Sequence, residues 1–221
     1  MQVLVACEES QRVCIAFREK GHAAFSCDIE TCSGGHPEWH IMQDVVPLLN
    51  GRCWFKTVDG IDHSIDGKWD LIIAHPPCTY LSNAGARWLY AGGELNEERY
   101  KKGIDGKKFF MSMLNADCPR IAVENPIPSS IYDLPQYTQI IQPYQFGEPW
   151  SKKTCLWLKG LEPLQPTNIV ADYKPFCPSG SYSGKHNPED KGASRKGGSA
   201  KSRSKTFPGI ARAMAEQWGN F

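Results

Sequence analysis

Trp69-Asp70-Leu71-Ile72-Ile73-Ala74-His75-Pro76-Pro77-Cys78 joins an unbroken apolar run to two prolines and a thiol. An apolar run without polar alternation fits a strand buried on both faces, as in a parallel sheet. Pro76 and Pro77 cannot donate ladder hydrogen bonds, and each drives the residue before it towards extended backbone, so the strand must end in a stiff loop. Cys78 is then held at the carboxyl end of a buried strand, where open α/β sheets bind their ligands. A reactive thiol is one reading of it; a small buried cysteine after a proline turn is the other.

The flanking sequence repeats the strand pattern. Residues 2–7 are a short apolar run, and residues 10–20 then carry Val13, Cys14, Ala16 and Phe17 at helical spacing before Gly21. A second strand is expected over 23–28, ending in Asp28, followed by a loop of Gly, Ser and Pro and a strand-like piece at 40–45. Residues 96–114 permit a helix and lead to an apolar strand at 120–123. After Pro126 the chain is rich in Pro, Tyr and Gln, then recovers into an apolar strand at 154–158. Ile210, Ala211, Met214, Ala215 and Trp218 share one helical face in a closing helix expected over 207–218. The alternation predicts a doubly wound α/β sheet in one domain spanning 1–221.

Charge gives no global signal, since 25 basic and 24 acidic residues leave a net charge of +1. The basic residues gather instead between Ser179 and Lys205, where Lys185, Lys191, Arg195, Lys196, Lys201, Arg203 and Lys205 outnumber Glu189 and Asp190. That stretch reads as a mobile loop, either a phosphate contact or a solvated tether. With neither a signal-like start nor an apolar span of membrane length, a soluble, cytoplasmic protein without membrane contact is expected. Nine cysteines without regular spacing suit a reducing compartment. Cys27, Cys32, His36 and His40 have a superficial zinc-ligand spacing, but Cys27 ends one strand and His40 begins another, so no metal is expected.

Ala122-Val123-Glu124-Asn125-Pro126 places a carboxylate and an amide at a second strand end. Beside Cys78, this carboxylate suits attack on a pyrimidine: a thiolate adds at carbon 6 while an acid hydrogen-bonds the ring nitrogen. Desolvation after the apolar run is expected to raise the Glu124 pKa so that it keeps its proton. Tyr80, Trp88 and Tyr90 could stack on a base, with core packing the favoured reading.

With a Pro-Cys loop followed by a Glu-Asn motif, the sequence resembles the cytosine-5 DNA methyltransferase family. The resemblance implies a Rossmann-like, mostly parallel sheet with helices on both faces, S-adenosylmethionine as cofactor and double- or single-stranded DNA as partner. It implies Cys78 as nucleophile, Glu124 as polarising acid with Asn125 beside it, and a basic motif after a Gly-x-Pro turn in Tyr144-Gln145-Phe146-Gly147-Glu148-Pro149-Trp150-Ser151-Lys152-Lys153-Thr154, where Lys152 and Lys153 stand for arginines and Lys153 is counted with the catalytic set. Asp28 with Ile29 is similar to the acid that holds the cofactor's ribose, and Asp44 with Val45 to the one that meets adenine. Cys7, Glu8, Glu9 and Ser10 occupy the first loop, where Glu8, Glu9 or Ser10 could bond the methionine ammonium, and His75 and Pro76 complete the implied cofactor contacts. The family's first loop is glycine-rich, and this one is not.

Only 155–206 is available for the family's target-recognition domain, so low sequence specificity, or a protein partner or second copy supplying recognition, is expected. A chain this short suits a phage or mobile element. Two other readings stay open: one-carbon transfer to a pyrimidine nucleotide or RNA, and an inactive methyltransferase fold that binds nucleic acid or a partner.

Overall fold

The computed structural model describes residues 1–86, 88–91, 93–176 and 203–220. Most of the basic stretch expected as a mobile loop lies outside these residues.

Seven strands form the central sheet: β1 (Gln2–Ala6), β2 (Ala23–Asp28), β3 (His40–Met42), β6 (Leu71–Ala74), β9 (Ile121–Asn125), β10 (Gln139–Ile141) and β12 (Thr154–Lys159). Their spatial order is β10-β12-β9-β6-β1-β2-β3. All neighbours pair in parallel except β12, which runs antiparallel to both β9 and β10. The mixed α/β class and the mostly parallel sheet agree with the sequence expectation.

Period-two alternation sends the strand residues to two cores. Leu4, Ala6, Ile72, Ala74 and Val123 face one side, with Phe110 and Met113 of α3 (Glu97–Leu114). Val3, Val5, Leu71 and Ile73 face the other, with Phe17 of α1 (Arg12–Glu19) and Ile210, Met214 and Trp218 of α4 (Pro208–Trp218). Covering both faces is what allows each strand to be apolar throughout. Asn96 starts α3 by accepting a hydrogen bond from the Arg99 amide at 2.9 Å, a cap worth about 1 kcal/mol.

Strict strand–helix alternation fails between β2 and β6. The residues after β3 form a hairpin, β4 (Cys53–Lys56) and β5 (Asp62–Ile65), in place of a crossover helix. Pro47, Gly51 and Gly60 break any helical period there, and Phe55 and Ile65 fill the core that a helix would otherwise cover. A second small hairpin, β7 (Tyr90–Ala91) with β8 (Glu94–Leu95), follows the Cys78 loop. It is too small to bury its aromatics: Trp88 and Tyr90 are 62% and 56% exposed, against the expected core packing. Among the described residues no helix is long and apolar enough to cross a membrane.

Candidate active site

The chain runs outward from β1 to β2 and β3 on one side, then returns to β6 and β9 on the other, so the strand order reverses between β1 and β6. Crevices at such a reversal, beyond the carboxyl ends of the strands, are the ligand sites of open α/β sheets. Register makes the site specific. Ala6 pairs with Cys27 and Ala74, and Ala74 with Val123. The next residue on each strand forms a row across the opening: Asp28, Cys7, His75 and Glu124.

On the β6 side, the His75 amide donates to the Ala6 carbonyl at 2.9 Å, continuing the ladder one step beyond the strand. Its imidazole Nδ1 lies 3.3 Å from Glu124 Oε2, with the two side chains only 10% and 16% exposed. Asn125 Nδ2 donates to the Pro76 carbonyl at 2.8 Å, tying the strand end of β9 to the proline loop. The Ser82 amide reaches back to the Cys78 carbonyl at 3.1 Å, and the Ser129 amide to that of Leu81 at 2.7 Å. Arg99 closes the turn on its outer side by donating to the Thr79 and Gly85 carbonyls, its guanidinium over the Tyr80 ring at 4.9 Å. Cys78 is therefore positioned by a backbone network, as its place after two prolines implied.

Burial raises the Cys78 pKa, the negative Glu124 raises it further, and Lys152 opposes both. Glu124 departs from the sequence expectation. Burial alone would raise its pKa, but the hydrogen bond from His75, the charge of that ring and then Lys152 bring the balance below the ordinary value. Its resting state is a carboxylate held by an imidazole. Burial presses the His75 pKa down, yet the hydrogen bond and charge of Glu124, with Glu8 behind them, carry it above the ordinary histidine value.

Lys152, rather than Lys153, faces this cluster. Neighbouring residues of extended chain after β11 (Trp150–Ser151) point to opposite sides, which leaves Lys152 half-buried near Glu124 and Lys153 exposed. Lys152 Nζ also donates to the Arg203 carbonyl at 2.9 Å. Through that contact the segment leading to α4 lies over the site. Glu124, Lys152, Thr154 and residues 204–207 enclose a cavity of about 10 Å³, the size of a single water.

The β1–β2 side is arranged differently. Cys7 and Gln11 both adopt left-handed backbone, φ 58°, where glycines would fit more easily. Glu8 is buried: its two oxygens accept from the Val13 and Cys14 amides at 2.7 and 3.2 Å, capping α1, and its charge also reaches the His75 ring. Burial raises its pKa. Glu9 lies 3.5 Å from Lys205 Nζ, which also reaches Ser33, and Ser10 is buried. Asp28 and Asp44 each accept from an amide two residues on, Glu30 and Val46, in Asx turns at the strand ends. Both acids lie close enough to Cys7 to raise its thiol pKa, after burial. Ile29 is 77% exposed beside Asp28, while Val45 is buried.

The suspected zinc spacing does not converge. His40 bonds Ser26 Oγ and the Glu30 carbonyl, each at 2.9 Å, and His36 stacks on Trp39. Among the described residues no three metal-ligating side chains are grouped.

No family model matches this sequence, and neither does any curated protein. Among solved structures, one from E. coli, of a prophage-encoded protein assigned as a DNA modification methyltransferase, aligns at 14% identity with a TM-score of 0.44. The alignment covers 77% of this chain and 52% of that one, so this chain spans about half the length of that protein.

Proposed function

We propose that this chain methylates cytosine at carbon 5 in DNA, with S-adenosylmethionine as methyl donor and a covalent Cys78 adduct as intermediate. The observation that carries the reading lies at two neighbouring strand ends: the Cys78 loop after β6 and Glu124 in β9 are tied together by the Asn125 side chain on the Pro76 carbonyl, with Glu124 close enough to act on the thiol. A thiol alone is a poor catalyst for this ring, because cytosine accepts a nucleophile at carbon 6 only when its N3 is protonated or strongly hydrogen-bonded.

The site's own groups account for the steps. Cys78 sulfur bonds carbon 6 and its thiol proton leaves to solvent; the ring electrons move to N3, which takes a proton through Glu124. Carbon 5 becomes nucleophilic and takes the methyl group. The carbon 5 proton then departs to solvent, the sulfur–carbon bond breaks, the Cys78 thiolate takes a proton back from solvent, and N3 returns its proton to Glu124. Lys152 lowers the cost of negative charge at both Cys78 and Glu124. Asn125 keeps the proline loop at a fixed distance from Glu124.

The β1–β2 side fits the cofactor: Asp28 provides acceptor oxygens for vicinal hydroxyls, the exposed Ile29 an apolar surface for an adenine face, and Asp44 an acceptor for its amine. Bound there, S-adenosylmethionine supplies an electrophilic methyl group. Glu9 is the carboxylate of the first loop left for the ammonium, and Lys205 must release it first. A cytosine in a duplex has to be flipped out to reach Cys78, at a cost of a few kcal/mol. Single-stranded DNA avoids that cost.

The test is to incubate the protein with isotopically labelled S-adenosylmethionine and 5-fluorocytosine-containing DNA beside a Cys78→Ser control. A cofactor-dependent protein–DNA adduct at Cys78 is expected by mass spectrometry. Absence of an adduct on both single- and double-stranded DNA would overturn the reading.

A further inference from the structure

We propose that His75 is the proton store that charges Glu124 for the addition step, a positioning and proton-holding role that rests on the cytosine-5 reading above. The need arises from the site itself. Addition of sulfur to carbon 6 requires a proton at N3, but Glu124 is held as the ionised partner of an imidazole and has none of its own to give. His75 Nδ1 lies 3.3 Å from Oε2, within reach to hand over a proton.

The surroundings of the ring make that proton transferable. Three charged groups face it: Glu124 from β9, Glu8 from the loop after β1, and Lys152 from the segment between β11 and β12. The two carboxylates favour the imidazolium, while burial and Lys152 oppose it. Its other nitrogen, Nε2, is buried and has no hydrogen-bond partner among the described residues. Once Nδ1 gives up its proton the remaining one sits on Nε2, so that unmet N–H is the same before and after transfer, and burial and Lys152 are what oppose the charged ring. The charged form is thus favoured by the two carboxylates and opposed by burial and Lys152, which leaves the Nδ1 proton transferable to the carboxylate 3.3 Å away.

When cytosine N3 approaches Glu124, the Nδ1 proton passes to Oε2 and a proton from Glu124 bonds N3 as the sulfur–carbon bond forms. On elimination N3 returns it, and the pair is restored. Solvent takes the thiol proton at the start and returns one to the departing thiolate, and the carbon 5 proton is the one released overall, so His75 and Glu124 end each cycle with the proton they began with. Neither redox partner nor metal is involved.

The test compares wild type with His75→Gln, whose amide can still donate to Glu124 but has no proton to give up, and with His75→Asn. Steady-state methylation of a cytosine-containing oligonucleotide is followed against pH, with adduct trapping on 5-fluorocytosine DNA in parallel. In wild type, kcat should fall as pH rises through the His75 pKa. In both variants kcat should drop about 10²-fold at neutral pH and lose that alkaline limb, with KM for DNA changed less than about 3-fold. Circular dichroism shows whether each variant is folded, and either folded variant suffices. A folded variant that keeps the wild-type rate and limb, while wild type forms the Cys78 adduct, would overturn the role of His75 and leave the function standing. Wild type that forms no adduct would remove both.

Discussion

Two buried glutamates stand on opposite sides of the strand reversal, and the fold uses them in opposite ways. Glu8, after β1, spends both oxygens on the Val13 and Cys14 amides, and its pKa is raised. Both feel the charge of His75, but Glu124, at the end of β9, bonds that ring directly and has a lysine as well, and its pKa is lowered. The difference lies in partners, since both are buried. Backbone amides at a helix start anchor a loop, whereas titratable partners make a carboxylate part of a proton circuit. In the proposed function the β1–β2 side is a scaffold with the cofactor rim, and the β6–β9 side holds the reactive groups.

That contrast can be broken in order of effect. Cys78→Ser should lower methyl transfer by on the order of 10³-fold or more and abolish the adduct, with cofactor affinity unchanged by calorimetry. Residual turnover near the wild-type rate would show that the chemistry lies elsewhere. Gly85→Ala should come next, because a Cβ there meets the Thr79 carbonyl, one residue beyond the nucleophile. Displacing that backbone should cost about 10²-fold in kcat, and an unchanged kcat would mean the loop tolerates the shift.

The opposite side should respond in stability and binding. Glu8→Ala removes the acceptor for two buried amides and should cost about 2 kcal/mol in denaturant unfolding; an unchanged midpoint would argue against its anchoring role. Ile29→Ala removes an already exposed side chain, so stability should hold while the cofactor Kd rises by about 5-fold, corresponding to about 1 kcal/mol. A Kd identical to wild type would detach Ile29 from the cofactor rim.

The smallest effect is on stability against pH. The raised His75 pKa gives a contribution fully present below 6.5 and lost as pH rises through the folded value. The lowered Glu124 pKa gives one present above 4.5 and lost as pH falls through its folded value. The pair therefore contributes most between those limits. Glu8, raised from 4.5, has the opposite sign to Glu124: its contribution is lost as pH rises. Unfolding free energies from pH 4 to 8 should show His75→Gln flattening the decline above 6.5, and a decline identical in the variant would place it on another group.

Much of the frame was legible. The apolar runs at 2–6, 23–28, 71–74 and 121–123 are sheet strands because a strand covered on both faces must be apolar at every position. Prolines after β6 and the motif order around Glu124 pointed to two neighbouring strand ends. The β4–β5 hairpin was missed, since its short, half-exposed strands leave only Phe55 and Ile65 as core signals. Lys152 was paired with Lys153 on sequence adjacency, and only the direction of the chain after β11 separates them.

By itself the sequence determined which segments are buried and that a thiol and a carboxylate end two of them, because hydrophobic period and proline geometry are local properties. The tertiary structure decided their chemistry. Strand order and register set His75 between Cys7 and Glu124 and turned Glu8 onto a helix start, and protonation follows from such partners across the chain rather than from neighbours along it.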